Sequence, residues 1–297
     1  MILLDFNQII ISLSINEEKK NTDESIRHMS VMNSFITYIL SIKKRYSDKY
    51  GNVVICCDNK NFWRKDVFPY YKHSRKKDRE NSNIDWKVIF DTIGTVKKDL
   101  VDWFPYRLLE LDTVEADDII AILTKEYHDR ENILILSSDK DFKQLQIYKG
   151  VSQYSYNTGK FIKTTDPKKY LREHILRGDR SDGIPNVLSP DDVFLGDYRQ
   201  TPLRKNKIIE WLNLNKNPYD FLDDDLVDAY KRNEKLIDFN FIPEDISESI
   251  LDDFVKVPIG NNNTMMEYFT KNRMIMLYSE MDNLKEDINE TYTRSVF

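Results

Sequence analysis

The sequence is poor in the residues that form covalent cross-links or soft metal sites. Among its 297 residues are only two cysteines, Cys56 and Cys57, and four scattered histidines, none near a partner at metal-ligand spacing. The adjacent cysteines lie in a predicted buried strand, where neighbouring side chains point to opposite faces. They can therefore form neither a disulfide with each other nor a zinc site, and we predict that they are small core residues.

Long hydrophobic runs, internal repeats and low-complexity segments are also absent. No stretch approaches the roughly 20 apolar residues that a membrane span requires. The first residues run directly into a predicted strand rather than a signal peptide. We therefore expect no membrane association and a cytoplasmic location. A hydrophobic content of 40% is sufficient for a core in one large domain or two small ones.

What the chain does contain is a set of apolar runs that end in aspartate. ILLD, VVICCD and ILILSSD end at Asp5, Asp58 and Asp139. Such runs are typical of buried parallel strands, and ligands bind beyond the carboxyl ends of these strands. Further acids are Glu115, Asp117 and Asp118 in EADD, Asp141 in DKD, and Asp179 and Asp182 in GDRSD. Because so many acids repel one another, the pattern predicts a bound hard divalent cation.

Helical and extended patterns alternate along the first half of the chain. The predicted strands are 2–6, 53–57, 107–111 and 132–137, the predicted helices between them are 25–46, 84–102 and 114–128, and a short helix at 140–147 and a hairpin at 151–163 follow. This order predicts an α/β fold with a central, mostly parallel sheet flanked by helices.

Helical segments predominate after Pro167. They end with a loop at 258–264, a helix at 265–280 and a polar tail after Asp282. We predict an α/β core at 1–165 and a helical C-terminal subdomain at 166–297.

A net charge of −6 argues against a nucleic-acid partner, but the charge is unevenly distributed. Between residues 60 and 79, eight Lys or Arg residues face only two aspartates and are interleaved with five Phe, Tyr or Trp residues. Cations offset phosphate charge, and aromatic rings stack on single-stranded bases. We call residues 60–83 the basic arch. The alternative is a solvated basic loop that aromatics such as Trp63 and Phe68 anchor to the core.

Helical geometry separates the acids of EADD. At about 100° per residue, Glu115 and Asp118 lie on one face, whereas Asp117 points elsewhere. Asp118 is predicted to cap or support the helix rather than to bind a ligand.

The acidic strings resemble a known family when taken in order. EADD, SSDKDFKQL and GDRSDGIPNV, after ILLDF and ICCDN, resemble the flap endonuclease family of structure-specific 5′ nucleases. FWRKD, YYK and KLIDFNFIP extend the resemblance over nearly the whole chain, towards the ribonuclease H branch of T-even-like phages. The resemblance implies a PIN-like nuclease core with ribonuclease H, 5′ to 3′ exonuclease and flap endonuclease activity. It also implies removal of RNA primers and adjacent DNA during phage lagging-strand replication, in the cytoplasm of the infected host.

The resemblance also implies roles for individual residues. A first Mg²⁺ is held by Asp5, Asp58, Asp117 and Asp139, with Glu115 close by, and a second is approached by Asp141, Asp179 and Asp182, with Mn²⁺ as a substitute for either. Lys72 and Arg75 contact the scissile phosphate and stabilise its developing charge. Tyr71 stacks on a base, and Arg64, Lys65 and Lys76 are the other expected nucleic-acid contacts of the basic arch.

The GDRSDGIP turn resembles the first half of the family's helix-turn-helix element, which grips the duplex backbone and often binds a monovalent cation. Gly183 suits a tight turn and close phosphate approach. Asn186 replaces the family's usual glycine after the proline, which leaves K⁺ binding open. The partners implied are RNA:DNA hybrids, duplex DNA with a 5′ flap or single-stranded 5′ end, a phage single-strand DNA-binding protein and a sliding clamp. The protein is expected to be a monomer.

Three other functions remain as alternatives. A phosphatase with Asp5 as covalent nucleophile usually has a second acid two residues on, where this chain has Asn7. A flap-binding scaffold has no need of the full acid set. A PIN-type ribonuclease is usually smaller and lacks the helical C-terminal half. The sequence also lacks a Ser/His/Asp or Cys/His arrangement, so water is the expected nucleophile.

Overall fold

The structure is a computed structural model that describes residues 1–20, 23–196, 198–214, 216–258, 262–274 and 277. Within this part of the chain the strands are β1 (Ile2–Asp5), β2 (Val53–Cys56), β3 (Arg107–Leu109), β4 (Ile133–Leu136), β5 (Val151–Ser155) and β6 (Lys160–Ile162). They form one sheet in the order β3-β2-β1-β4-β5-β6. Neighbours are parallel except for the β5–β6 hairpin, so the predicted mostly parallel sheet is confirmed.

Helices connect the strands and form most of the second half of the chain. They are α1 (Phe6–Glu18), α2 (Glu24–Tyr50), α3 (Arg64–Val67), α4 (Ser74–Glu80), α5 (Trp86–Trp103), α6 (Ala116–Tyr127), α7 (Pro167–Arg177), α8 (Lys205–Asn213), α9 (Asp224–Ile237), α10 (Glu244–Lys256) and α11 (Asn262–Lys271). The predicted short helix is a 3₁₀ helix at Lys140–Ile147. Of the predicted C-terminal segments, residues 259–261 of the loop, residues 275–276 and 278–280 of the last helix, and the tail after Asp282 lie outside the described residues.

Helix α1 is an element that the sequence analysis did not predict. It follows β1 without a loop because Asp5 ends the strand and caps the helix: its Oδ1 accepts a hydrogen bond of 3.2 Å from the backbone N–H of Gln8. Asp5 thus turns the chain at the edge of the sheet.

The sheet is covered by helices on both faces. Leu4, Ile55 and Cys57 belong to a core with α1, α2 and α5, whereas Val54 and Cys56 belong to a core with α6 and α10. The two cysteines are therefore buried on opposite faces as free thiols, as predicted. No helix in the described residues is both long and apolar enough to cross a membrane.

A third hydrophobic cluster lies in the helical region. It combines residues of α7, α8 and α9 with Phe68 and Tyr71 of the basic arch. The arch is thus attached to the helical region by buried aromatic rings. This cluster spans both sides of the expected boundary at 165/166, and that division stays a prediction.

Candidate active site

The acids converge at the point where the strand order reverses. From β1 the chain proceeds through β2 to β3 on one side, and β4 then pairs with the other edge of β1. In such sheets the crevice beyond the carboxyl ends of the two central strands is where ligands bind. Asp5 ends β1, Asp58 follows β2 and Asp139 follows β4. Asp117 lies in the first turn of α6. We call Asp5, Asp58, Asp117 and Asp139 the rim acids.

Polar side chains fix the loop after β4. The Ser137 hydroxyl donates to Asp5 Oδ2 at 2.7 Å and accepts from the backbone N–H of Asp139 at 3.0 Å. Gln153, fully buried on β5, donates to the carbonyl of Ser137 at 3.1 Å. These bonds tie two rim acids together. Ser137 and Gln153 were not predicted as part of the site: Ser137 directly follows the apolar strand β4 and Gln153 lies in the partly polar strand β5, so neither has a distinctive local signal.

Asp58 joins the end of β2 to the start of α6. Its Oδ1 accepts a 2.8 Å hydrogen bond from the backbone N–H of Ala116, and its own N–H donates to Asn7 Oδ1 at 3.2 Å. Asp117 follows one residue later and lies close enough to Asp139 and Asp5 for their charges to act on it.

Burial and mutual repulsion raise the pKa values of the rim acids. Burial, and then repulsion from Asp58, raises the pKa of Asp5 to about 7. Burial likewise raises the pKa values of Asp58 and Asp139. Burial together with Asp139 and Asp5 raises the pKa of Asp117 well above its usual range. A cation bound among these groups would favour their charged forms, so the arrangement fits a cation site.

Glu115, unlike the rim acids, is neutralised by cations of the protein. Arg64 Nη1 lies 2.7 Å from Glu115 Oε2, and Arg64 Nη2 lies 2.7 Å from Asp118 Oδ1. Asp118 also completes a capping box with Glu115, which confirms its predicted capping role. Although burial acts in the opposite direction, Lys72 and Arg64 lower the pKa of Glu115 to about 2.

The two predicted catalytic cations reach the acidic cluster. Lys72 Nζ forms an ion pair with Glu115 and lies 3.6 Å from Asp182 Oδ2, while Arg75 Nη2 lies 2.7 Å from Asp182 Oδ1. Lys72 has a left-handed backbone with φ 55°, and its N–H donates to the carbonyl of Asp182 at 2.8 Å. The basic arch therefore packs directly against the GDRSDGIP turn.

Other residues of the basic arch divide into buried and exposed groups. Arg64 and Tyr71 are 3% exposed, and the Tyr71 hydroxyl lies within hydrogen-bond distance of Glu115 and of Asp182, so neither side chain lies on the surface expected for nucleic-acid contacts. Their polar groups are turned inward because Glu115 needs partners in the core. Lys65 and Lys76 are exposed. Trp63 and Phe68 are buried, as the anchored-loop alternative expected.

Gly183 serves the contact between the turn and the basic arch. Its φ is 72°, and a Cβ at this position would lie 3.0 Å from the carbonyl oxygen of Tyr70. The glycine thus permits both a left-handed turn and a close approach of two backbone segments. Beyond it, Asn186 bonds within its own loop, accepting from the Leu188 N–H and donating to the Thr201 carbonyl.

Asp179 and Asp141 lie on either side of a buried histidine. His174 Nε2 is 3.2 Å from Asp179 Oδ2, and His174 Nδ1 is 3.3 Å from Asp141 Oδ1. Burial and repulsion from Asp139 raise the pKa of Asp141 to about 7. His174 was not predicted as part of the site, because it is remote from Asp141 along the chain and only the packing of α7 brings the two together.

The donor set fits hard divalent cations. The predicted acids carry carboxylate oxygens, the kind of ligand that Mg²⁺ and Mn²⁺ prefer. Asp141 Oδ1 is buried and has no hydrogen-bond partner among the described residues, which leaves it available as a ligand.

Known proteins match both halves of the chain. Residues 1–174 match the family of 5′-3′ exonuclease N-terminal, resolvase-like domains, and residues 167–287 match the C-terminal domain of T4 RNase H. Ribonuclease H of Enterobacteria phage T4 is 32% identical over 300 residues, covering 97% of this chain and 94% of that protein.

Solved structures show the same fold. The T5 5′-exonuclease with bound zinc ions aligns with a TM-score of 0.64 at 17% identity, covering 86% of this chain and 98% of the other. The phage T5 flap endonuclease in a pseudo-enzyme-product complex with DNA and metal ions aligns with a TM-score of 0.61 at 16% identity and the same coverage. Because the exonuclease domain match spans more than half of the chain and the T4 protein matches nearly all of it, the chain belongs to the 5′-3′ exonuclease and flap endonuclease family of nucleases, as predicted.

Proposed function

We propose that the protein is a two-metal, Mg²⁺-dependent 5′ to 3′ nuclease with ribonuclease H, exonuclease and flap endonuclease activity. One observation carries the proposal: four mutually repelling rim acids meet at the switch point of the sheet, directly beside Lys72 and Arg75. Metal ligands and phosphate-binding cations thus occur together, as hydrolysis of a phosphodiester requires.

The rim acids would hold the first cation, and Asp141 and Asp182, with Asp179 beside them, would approach the second. Two such cations supply activation of water and stabilisation of the attacking and leaving oxygens. Lys72 and Arg75 stabilise the charge that develops on the scissile phosphate. A substrate phosphate would compete with Glu115 and Asp182 for these two side chains.

The substrates proposed are RNA:DNA hybrids and duplex DNA with a 5′ flap or single-stranded 5′ end. Support comes from the names of two relatives: a ribonuclease H from phage T4, and a T5 flap endonuclease complexed with DNA. The corresponding role is removal of RNA primers and adjacent DNA from lagging-strand fragments in the infected host. A phage single-strand DNA-binding protein and a sliding clamp are the proposed partners in that role.

The test is cleavage of a 5′-labelled RNA:DNA hybrid in Mg²⁺ by two rim variants, Asp5→Asn and Asp139→Asn. Both should keep the fold, since asparagine retains an acceptor oxygen, and both should lose at least about a hundredfold in kcat. The matched control is Asp192→Asn, which changes an exposed aspartate and should cleave like the wild type. Undiminished cleavage by both rim variants, with folded protein by circular dichroism, would refute the assignment.

A further inference from the structure

His174 is a buried histidine that has no role in the proposed nuclease mechanism. It lies on the last turn of α7, is 5% exposed, and is flanked by Asp141 and Asp179. The ligand atoms of these three residues all lie within 4.8 Å of one another. His174 is therefore the one imidazole within the described acidic cluster.

Both oxygens of Asp179 are engaged by the protein itself. Oδ1 accepts from the backbone N–H of Ser181 at 2.8 Å and from its hydroxyl. Oδ2 lies 3.2 Å from His174 Nε2 and 3.1 Å from Lys140 Nζ. A carboxylate that accepts the Nε2–H of a histidine fixes the ring and its tautomer, and it leaves the lone pair of Nδ1 free.

That lone pair points towards a second atom that could bind a metal, Asp141 Oδ1. His174 Nδ1 and Asp141 Oδ1 are 3.3 Å apart, and neither buried atom has a hydrogen-bond partner in the described residues. Two ligand atoms that each lie about 2.0–2.1 Å from one tetrahedral metal ion are separated by about 3.3 Å. Carboxylate, imidazole and metal in this order form a recurrent arrangement in metalloproteins.

We propose that His174 Nδ1 and Asp141 Oδ1 together bind a divalent transition metal at the second metal position, and that Asp179 orients the imidazole instead of ligating the ion. The inference rests on the proposed function only in taking Asp141 as part of the metal site. An imidazole ligand favours ions such as Zn²⁺ over Mg²⁺, which prefers oxygen and retains its water. The second position thus differs from the all-oxygen site of the rim acids in the metal that it selects.

The competing explanation is a plain ion-pair network. In that case both nitrogens of His174 carry protons, and the imidazolium bridges two carboxylates without any role for a metal. The two explanations differ in whether Nδ1 is protonated or bound to the metal when metal is present.

Long-range ¹H–¹⁵N NMR on the wild-type chain labelled with [¹⁵N]histidine distinguishes them. On titration with Zn²⁺ alone, we expect the Nδ1 resonance of one histidine to move to the metal-bound range while its Nε2 stays protonated. That resonance should be missing from His174→Gln and kept in His73→Gln, which removes an exposed histidine of the basic arch. A protonated Nδ1 that saturating Zn²⁺ leaves unchanged would overturn the proposal.

Calorimetric titrations with Zn²⁺ and with Mg²⁺ measure which of the two metals the site prefers. His174→Gln keeps an N–H donor within reach of Asp179, so circular dichroism should report a folded protein. Its Zn²⁺ affinity should fall at least about tenfold, whereas its Mg²⁺ affinity should change less than about threefold. Equal losses for both ions would contradict the selectivity.

Cleavage assays of the RNA:DNA hybrid with the same samples test the nuclease assignment separately from the metal assignment. Cleavage without zinc at His174 would remove only the metal assignment, and zinc at His174 without cleavage would remove only the nuclease assignment.

Discussion

The acidic cluster consists of two regions with opposite electrostatics. At the rim, burial and repulsion raise the pKa of Asp5 to about 7 and that of Asp117 well above its usual range. Around Glu115, Lys72 and Arg64 overcome burial and lower the pKa to about 2. Glu115 is 1% exposed and Asp5 is 7% exposed, so burial does not account for the opposite shifts of these two groups, and the difference lies in the protein cations around Glu115.

This difference separates two uses of a buried carboxylate. Glu115 pairs with cations of the protein itself, Arg64 and Lys72, and so joins the basic arch to the start of α6. The rim acids lack sufficient counter-charge and are stabilised when an external cation supplies it. Replacing a carboxylate by its uncharged amide should therefore destabilise the metal-free protein at Glu115 and stabilise it at the rim acids.

The largest effect is expected for Glu115→Gln. The variant leaves Arg64 and Lys72 buried with one partner fewer, so the free energy of unfolding at pH 7 should fall by about 3 to 5 kcal/mol. Urea unfolding without divalent metal measures it. Because folding lowers this pKa to about 2, the stabilisation is present above the usual glutamate pKa and is lost as the pH falls towards 2. The deficit of the variant should shrink on acidification.

The matched control is Glu173→Gln. Glu173 pairs with Arg177, and both side chains are well exposed, at 39% and 42%. Loss of this pair should cost less than about 1 kcal/mol. An equal loss for Glu115→Gln and the control would show that the buried network does not stabilise the fold.

Asp5→Asn should act with the opposite sign. Folding raises the pKa of Asp5 from 3.8 to about 7, so its contribution is fully favourable below the usual pKa and is lost as the pH rises through about 7. The metal-free variant should therefore exceed the wild type in unfolding free energy by about 2 to 4 kcal/mol at pH 7. Near pH 4 the two should coincide.

Mg²⁺ should reverse this order. A ligand that binds only the folded state stabilises it by mass action, so the wild type should gain more from millimolar Mg²⁺ than Asp5→Asn does. If Asp5→Asn is less stable than the wild type at pH 7 without metal, repulsion among the rim acids does not destabilise the metal-free protein.

The strands and the rim acids could be predicted from the sequence. The apolar runs before Asp5, Asp58 and Asp139 determine strand positions, and parallel strands bring their ends to one edge. The sheet and its rim were therefore predictable from local pattern. Helix α1 was not, because the isoleucine-rich run after Asp5 contains no glycine or proline to separate it from the strand.

Partners within the site depend on packing, which local pattern does not encode. The composition of the basic arch predicted a positive surface, yet Arg64 and Tyr71 point inward because Glu115 and Asp118 are buried behind them. His174 meets Asp141 only because α7 packs on the 3₁₀ helix that carries Asp141. Such contacts join distant segments and leave no periodic signal.

The smallest effect is expected where the two regions meet solvent, at Arg75. Its side chain is 42% exposed, against 7% for Lys72, although both pair with Asp182. Arg75→Gln should therefore lower the free energy of unfolding by less than about 1 kcal/mol, and 0.5 M NaCl should abolish the difference because salt screens exposed pairs. Lys98→Gln, which breaks the exposed pair with Asp102, is the matched control for urea unfolding. A salt-independent loss above about 2 kcal/mol would place Arg75 in the buried network with Arg64, and the division between the two regions would have to move outward to include it.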